Sequence, residues 1–385
     1  MSVVWPFAPI VPHLEALEWL TDVQTSRSGK ENRTSLRSNP RQTFEMDFYL
    51  KSNAEMGRFE ALSYTSQDQT CLIPWWPGKV EASGLSIGQT VIPCEPTGAG
   101  FVQGGQVLVI QEQEVWENKT ISSIGESSIT LSSGLSSAYG TAWVIALRSC
   151  RMDLSFSRKD ILSNISFGET TFTSESPEVL EDIGSAVSTW QGIEIWPQAV
   201  WIDSGGMQRN GKRLADDVDN QVGSVHRVVF SDSTLSSSSM KLIATTRAEC
   251  LAVRQFIFRR EGKLNPFWAP SSRQDLLLSQ NVSSGASTMR CFSSSALQAF
   301  ISPVRNALAF YPLDGTPFYR TVTDVSSVVG GYEDITFSET LPDIDKDRTR
   351  ISWISLSRLD SDRIEFSWEM PDLCVVECNI VEILQ

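Results

Sequence analysis

Histidine is nearly absent from the sequence, which has only His13 and His226 among its 385 residues. Histidine is a frequent general base and metal ligand, so its scarcity leaves few ways to build a Ser-His-Asp site or a zinc site. No nucleophile motif such as GxSxG accompanies either residue. We therefore interpret both as structural residues, and we expect no enzymatic activity, no catalytic residue and no cofactor.

Cysteine and metal-binding patterns are also missing. The seven cysteines are an odd number and form no CxxC pair, whereas a disulfide-rich secreted domain has an even, dense set. The acidic run 343–347 resembles a calcium loop, but Arg348 and Ile354 stand where that loop needs Gly and Glu. The sequence therefore predicts reduced, buried thiols and no bound metal.

Long apolar runs and an excess of positive charge are lacking as well. No segment approaches the roughly eighteen apolar residues of a membrane-spanning helix, and the N-terminus has no signal-peptide pattern. The chain has 46 acidic and 32 basic residues, for a net charge of −14. Because proteins that grip nucleic acid present a basic face to the phosphates, we expect no specific nucleic-acid binding and no membrane segment.

The sequence does contain paired signals for helices and strands. Capping boxes at 52–55 and 246–249 each precede an apolar stripe with helical spacing, which predicts one helix in each half of the chain. Extended runs at 42–50 and 224–230 precede these helices and indicate strands. The serine-rich tract 231–239 is interpreted as a flexible loop between strand and helix.

Eight aromatic residues recur at matching places in the two halves, and each half has a Pro-flanked aromatic corner after its predicted helix. They are Trp5, Trp19, Trp75 and Trp76 in the first half and Trp196, Trp201, Phe267 and Trp268 in the second. Their repetition favours rigid corners or subunit contacts, and these eight are our candidate structural or interface residues. If exposed, the corners would instead be suited to stacking on sugar rings.

The order of these features predicts two diverged copies of one unit. We expect a mainly β (α+β) fold with two tandem β-barrel or β-sandwich domains, each carrying one packed helix. The first unit spans 1–175 with a β insertion at about 80–145, and 176–190 is the linker. The second unit spans 191–385 with an insertion at about 280–350.

Two stretches carry a resemblance to a known family. The opening Trp5-Pro6 with the segments 17–23, 27–33 and 36–41 resembles the start of tail proteins of long-tailed, non-contractile bacteriophages. The stretch 254–275 is similar to the same proteins, which are distal-tail, minor-tail or baseplate components. The resemblance covers most of the chain as an ordered series of weak motifs. It brings no catalytic residues with it.

The resemblance implies domains related to tail-tube subunits, arranged as a ring around the DNA channel where the tail tube joins the baseplate or tip. The implied partners are further copies of the chain, the tail tube protein, the hub or tip proteins and the tape-measure protein. The location is the virion, after assembly in the cytoplasm of the bacterial host. Two units per chain favour a trimer with pseudo-six-fold symmetry over a hexamer. The alternatives are a carbohydrate-binding or carbohydrate-cleaving tail module and a monomeric β-sandwich adhesin.

Overall fold

Strands dominate the computed structural model, which describes residues 3–112, 115–176, 183–196, 208–219, 221–294, 297 and 301–384. Over these residues the chain forms 23 strands, two α-helices and one short 3-10 helix. The mainly β fold predicted from the sequence is therefore confirmed. Trp201 and residues 177–182 of the expected linker lie outside the described part of the chain.

The first half contains eleven strands, one α-helix and the 3-10 helix over its described residues. In chain order they are β1 (Val3–Val4), β2 (His13–Thr25), β3 (Glu31–Leu50), α1 (Asn53–Ser66), β4 (Cys71–Pro74), the 3-10 helix (Trp76–Gly78), β5 (Val80–Leu85), β6 (Val91–Pro93), β7 (Gln106–Glu112), β8 (Val115–Ile124), β9 (Ser128–Leu131), β10 (Tyr139–Leu162) and β11 (Ile165–Ser174).

The second half contains twelve strands and one α-helix over its described residues. In chain order they are β12 (Thr189–Trp190), β13 (Ile193–Glu194), β14 (Arg209–Val218), β15 (His226–Ala244), α2 (Arg247–Arg260), β16 (Phe267–Pro270), β17 (Thr288–Phe292), β18 (Ala307–Pro312), β19 (Phe318–Val325), β20 (Tyr332–Phe337), β21 (Thr349–Leu359), β22 (Arg363–Met370) and β23 (Leu373–Glu382).

Both predicted helices are confirmed, and both begin at the predicted cap. The hydroxyl of Ser52 accepts a hydrogen bond from the backbone N–H of Glu55 at 3.2 Å, and Thr246 accepts one from Glu249 at 3.2 Å. Each glutamate reaches back one residue further than in the usual capping box, to the N–H before the cap: Glu55 to Lys51 at 2.7 Å and Glu249 to Thr245 at 2.8 Å. One free N–H group of each first turn and one N–H group just before each helix are thereby satisfied.

The two halves repeat one order of strand pairing. In the first half β3 pairs with β11, β11 with β10, β10 with β4, and β4 runs parallel to β1. In the second half β15 pairs with β23, β23 with β21, and β21 with β16. Ile195, next to β13, then forms a parallel bridge to Trp268 of β16. A long hairpin, β2–β3 or β14–β15, opens each series.

A second set of strands follows the same rule. In the first half the order is β10–β7–β8–β9–β6, and in the second half it is β21–β18–β19–β20–β17. Each set encloses its own hydrophobic cluster, drawn from residues between Val80 and Ala146 or between Leu276 and Trp353. Each set therefore forms a small lobe beside the central sheet.

One continuous sheet joins the halves. Residues 13–18 of β2 pair antiparallel with residues 363–368 of β22, with His13 opposite Trp368 and Glu18 opposite Arg363. The largest hydrophobic cluster also takes residues from both halves, among them Phe48, Phe59 and Phe256. The two halves of the chain thus share backbone hydrogen bonds and a common core.

The expectation for the serine-rich tract was wrong, because residues 231–239 lie inside β15. Serine has a low intrinsic preference for strands, but backbone pairing with both neighbouring strands outweighs that preference here. Ser237, for example, lies opposite Asn210 of β14 on one side and Val381 of β23 on the other. Residues 231–239 therefore belong to the sheet.

Candidate functional site

Most of the eight candidate aromatic residues lie inside the chain. Trp76 is half-buried at the start of the 3-10 helix, and Trp201 is outside the described residues. The other six are buried: Trp5, Trp19, Trp75, Trp196, Phe267 and Trp268. These six contribute to the core of their own chain, and in this fold they are not accessible to a sugar ring or to a neighbouring subunit.

Trp5 and Trp196 occupy matching places between helix and sheet. The ring of Trp5 meets Phe59 of α1 edge-on, with a centroid distance of 5.4 Å, and Trp196 meets Phe256 of α2 in the same way at 5.1 Å. The backbone N–H of Trp5 donates to Leu72, and that of Trp196 donates to Trp268. Each tryptophan thus anchors the entry of its unit against the helix.

The alignment of the two aromatic corners needs a correction. The hydrogen bonds of the two anchor tryptophans make Trp268 the counterpart of Leu72, not of Trp76. The prolines at the ends of β4 and β16, Pro74 and Pro270, then fall at equivalent positions. The sequence analysis aligned the aromatic residues of the two corners with one another. The strand pairing instead aligns β4 with β16, and the aromatic residues then fall at different positions.

The main polar feature of the core is the carboxylate of Glu15, at the junction of the halves. Glu15 has no exposed surface. Its Oε1 accepts hydrogen bonds from Nη1 of Arg254 at 2.6 Å and from Nε2 of Gln42 at 2.7 Å. Its Oε2 accepts from the indole N–H groups of Trp75 at 3.1 Å and Trp368 at 3.0 Å. Both oxygens are satisfied, as a buried charge requires.

Arg254 stabilises the ionised form of Glu15. Burial alone would raise the pKa of Glu15, but the charge of Arg254 and the hydrogen bonds from Gln42 and Trp75 outweigh it, and the pKa lies below its usual value. The guanidinium carbon of Arg254 also lies 5.0 Å from the centre of the Trp75 ring, within cation–π range. A carboxylate held ionised in this way is a poor general acid and is suited to joining two elements.

A cavity of about 290 Å³ lies beside this ion pair. Its walls include Trp75, the glycine-rich turn 98–104 and residues of α2 between Arg247 and Gln255, Arg254 among them. Gly100 has φ +68°, and a Cβ atom there would lie 2.6 Å from the ring of Trp75, so glycine is needed for this close approach. The lining is largely apolar, and Arg148 and Arg247 are among its charged residues.

A second, largely buried ion pair also joins the halves. The guanidinium of Arg358 on β21 donates two hydrogen bonds to Glu31 on β3, both at 2.8 Å. This bidentate geometry is the strongest form of an arginine–carboxylate contact. Charge pairs thus cross the junction at more than one place.

The cysteines and histidines lie at the following kinds of position in the fold. All seven cysteines are free and buried, as expected from the sequence. His13 is buried at the junction, and its ring nitrogens have no hydrogen-bond partner among the described residues. Burial lowers the pKa of His13 to about 4, against a smaller opposing effect of the Glu15 charge. His226 is exposed at the start of β15.

The described residues contain no group of three or more His, Cys, Asp or Glu side chains placed to hold a metal ion. None of the helices formed by these residues has the length and apolar character needed to cross a membrane.

Comparison with known proteins adds no assignment. No model of a known protein family matches the chain. No curated protein matches it either.

Sequence reasoning did not identify Glu15, Gln42 and Arg254. One signal was available for Glu15, because it is a charged residue within an otherwise apolar strand segment, between Leu14 and Ala16. Arg254 stands close in sequence to Arg259 and Arg260, and its local sequence does not show that it lies on the buried side of α2. Their pairing spans 239 positions in the sequence, and no local pattern reveals it.

Proposed function

We propose that this chain is a structural virion protein at the distal end of the tail of a long-tailed, non-contractile bacteriophage. It forms a ring that joins the tail tube to the baseplate or tip and lines the channel for DNA. Its partners are further copies of the chain, the tail tube protein, the hub or tip proteins and the tape-measure protein. The resemblance of residues 5–41 and 254–275 to such tail proteins is the starting point of the proposal.

The repeated order of strand pairing is the observation that carries the proposal. A duplicated unit whose sheet continues into the next unit through β2 and β22 supplies a contact that can be used more than once. Head-to-tail contacts of this kind produce rings when the rotation closes. The proposed ring therefore depends on the proposed division of the chain into two tandem tail-tube-like units.

The charge of the chain fits the proposed channel. A net charge of −14 gives a surface that repels a polyanion, so DNA would pass without adhering. We assign no catalytic activity to the protein. Assembly takes place in the bacterial cytoplasm, and the virion is the final location.

Symmetry is the test of the proposal. Three chains with two units each fill six positions around the channel, so we favour a trimer with pseudo-six-fold symmetry. The mass and images of purified protein particles measure this directly. Three chains per ring support the trimer, and six identical chains with one unit of each at the channel support the hexamer instead. A chain that stays monomeric at every concentration contradicts the proposed function.

The carbohydrate alternative finds little support in the positions of the aromatic residues. Trp75, Phe267 and Trp268 are buried, and Trp76 is half-buried, so the corners that suggested sugar stacking are largely enclosed. A glycan-binding screen and a reducing-sugar assay separate this alternative from the ring. Specific binding or turnover without ring formation would favour the alternative.

A further inference from the structure

The pairing of β2 with β22 joins the two halves, and each of these two strands has a counterpart in the other half. At the junction, Glu15 of β2 pairs with Phe366 of β22, and on its other side Glu15 pairs with Phe44 of β3. In the second half, Arg209 of β14 pairs with Ser238 of β15. Phe44 and Ser238 stand at the same distance before the helix caps Ser52 and Thr246, so Arg209 is the counterpart of Glu15.

β22, the strand that pairs with β2 at the junction, also has a counterpart in the first half. Trp368 of β22 pairs with Cys374 of β23, and Asp160 of β10 pairs with Ser166 of β11. Cys374 and Ser166 in turn lie opposite Ala244 and Leu50, the last residues of β15 and β3. The distal part of β10, residues 155–162, therefore corresponds to β22.

These two counterpart edges are open. Among the described residues, the distal part of β10 pairs only with β11, and β14 pairs only with β15. Most side chains on the open edges are exposed, with Leu162 at 59%, whereas His13 and Phe366 at the occupied junction are 5% and 0% exposed. Unpaired strand edges of this length are ready sites for pairing with another chain.

We propose that a second copy of this chain docks its β14 along the distal part of β10, which repeats the internal junction between chains. This inference rests on the proposed ring and names its contact surface. Transferring the register of the internal junction places Asn210 of one chain opposite Ser157 of the next, and Arg209 opposite Arg158. The contact is head-to-tail, so each added chain leaves the same two edges open until the ring closes.

Charge complementarity supports this occupant. Glu15 binds Arg254 of α2 at the internal junction, and the position of Arg254 in α2 is that of Glu60 in α1. The counterpart pair is therefore Arg209 with Glu60, the same contact with the signs reversed. Arg158 already lies 3.0 Å from Glu60, so Glu60 would bind an arginine from each chain. The carboxylate thereby offsets the repulsion between the two arginines.

The sign reversal also selects against the wrong pairing. If β2 of another chain docked on the distal part of β10, Glu15 would face Glu60, and two carboxylates at close range repel. Docking of β14 brings opposite charges together instead. Specificity of this kind needs a repulsive contact for the competitor as well as an attractive contact for the partner.

The register can be tested by cross-linking two singly substituted proteins. Directly opposite residues of an antiparallel pair have Cα atoms about 4.5–5.5 Å apart, which suits a disulfide. The native cysteines are all buried, so they do not compete. We expect a mixture of Asn210→Cys and Ser157→Cys proteins to give a two-chain product on mild oxidation. A mixture of Asp216→Cys and Ser157→Cys proteins is the matched control, because position 216 lies about 20 Å from position 210 along β14. We expect this mixture to give no two-chain product.

Charge reversal tests the same surface without a cross-link. We expect Glu60→Arg and Arg209→Glu each to abolish assembly and the double variant to recover it, with monomer melting temperatures confirming that each variant folds. Rings that persist in both single variants, together with no register-specific product, overturn the edge pairing but leave the ring itself standing. A wild-type chain that never assembles overturns the proposed function, and the edge pairing with it.

Discussion

Glu15 and Arg254 form a buried ion pair that joins β2 of one half to α2 of the other, at 2.6 Å between Oε1 and Nη1. Two indole N–H groups and one amide complete the shell around the carboxylate. A buried pair of this kind contributes little net stability relative to apolar residues, but it makes the junction specific, because either charge alone is costly to bury.

Replacement of Glu15 with Gln should therefore destabilise the protein strongly. The change leaves the guanidinium of Arg254 buried without its counter-charge, for an expected loss of about 3–5 kcal/mol in the free energy of unfolding. Glu365→Gln removes an exposed partner of Arg363 and should cost at most about 1 kcal/mol. Urea unfolding measures both. Equal losses for the two variants would show that the buried pair has no special role.

The stability of the protein should fall in mildly acidic solution because of His13. Burial lowers the pKa of His13 to about 4 from 6.5, so the unfolded chain binds a proton more readily than the folded chain. The contribution of His13 is complete above pH 6.5 and is lost as the pH falls toward 4, by about 3 kcal/mol in total.

Unfolding free energies measured across this pH range check the assignment. We expect His13→Gln to flatten the slope between pH 6.5 and 4. Glu15 adds a separate effect at lower pH: because its folded pKa is depressed, its contribution is present above its usual pKa and lost below it. A His13→Gln variant with the wild-type slope would contradict the assignment.

The features that could be predicted from the sequence are the local ones. A capping box spans four residues, so the starts of α1 and α2 were readable at Ser52 and Thr246. The strand role of residues 231–239 was not, because it depends on pairing with β23, more than a hundred residues away. The Glu15–Arg254 pair has the same origin, since it exists only once two distant halves meet.

Gly168 of β11 should tolerate no side chain. A Cβ atom at this position would lie 2.5 Å from the ring of Phe59, which is fully buried between α1 and the sheet. Gly168→Ala should therefore displace the helix and destabilise the protein by about 1–3 kcal/mol. Gly140→Ala on β10 is the matched control, because nothing lies within 4 Å of its Cβ position, and we expect a neutral or slightly stabilising effect. Thermal unfolding compares the two, and equal melting temperatures would argue against the close contact.

The two halves should remain together after the chain is cut between them. A protease site inserted within residues 177–182 severs the backbone, but the pairing of β2 with β22 and the ion pairs Glu15–Arg254 and Glu31–Arg358 still cross the junction. These contacts bury apolar surface contributed by both halves, so the cleaved protein should elute as one species in gel filtration. The same cut in a Glu15→Gln variant should weaken the association, because Arg254 then loses its counter-charge. Cleaved wild-type halves that elute separately under native conditions would mean that the shared sheet and core do not hold the units together.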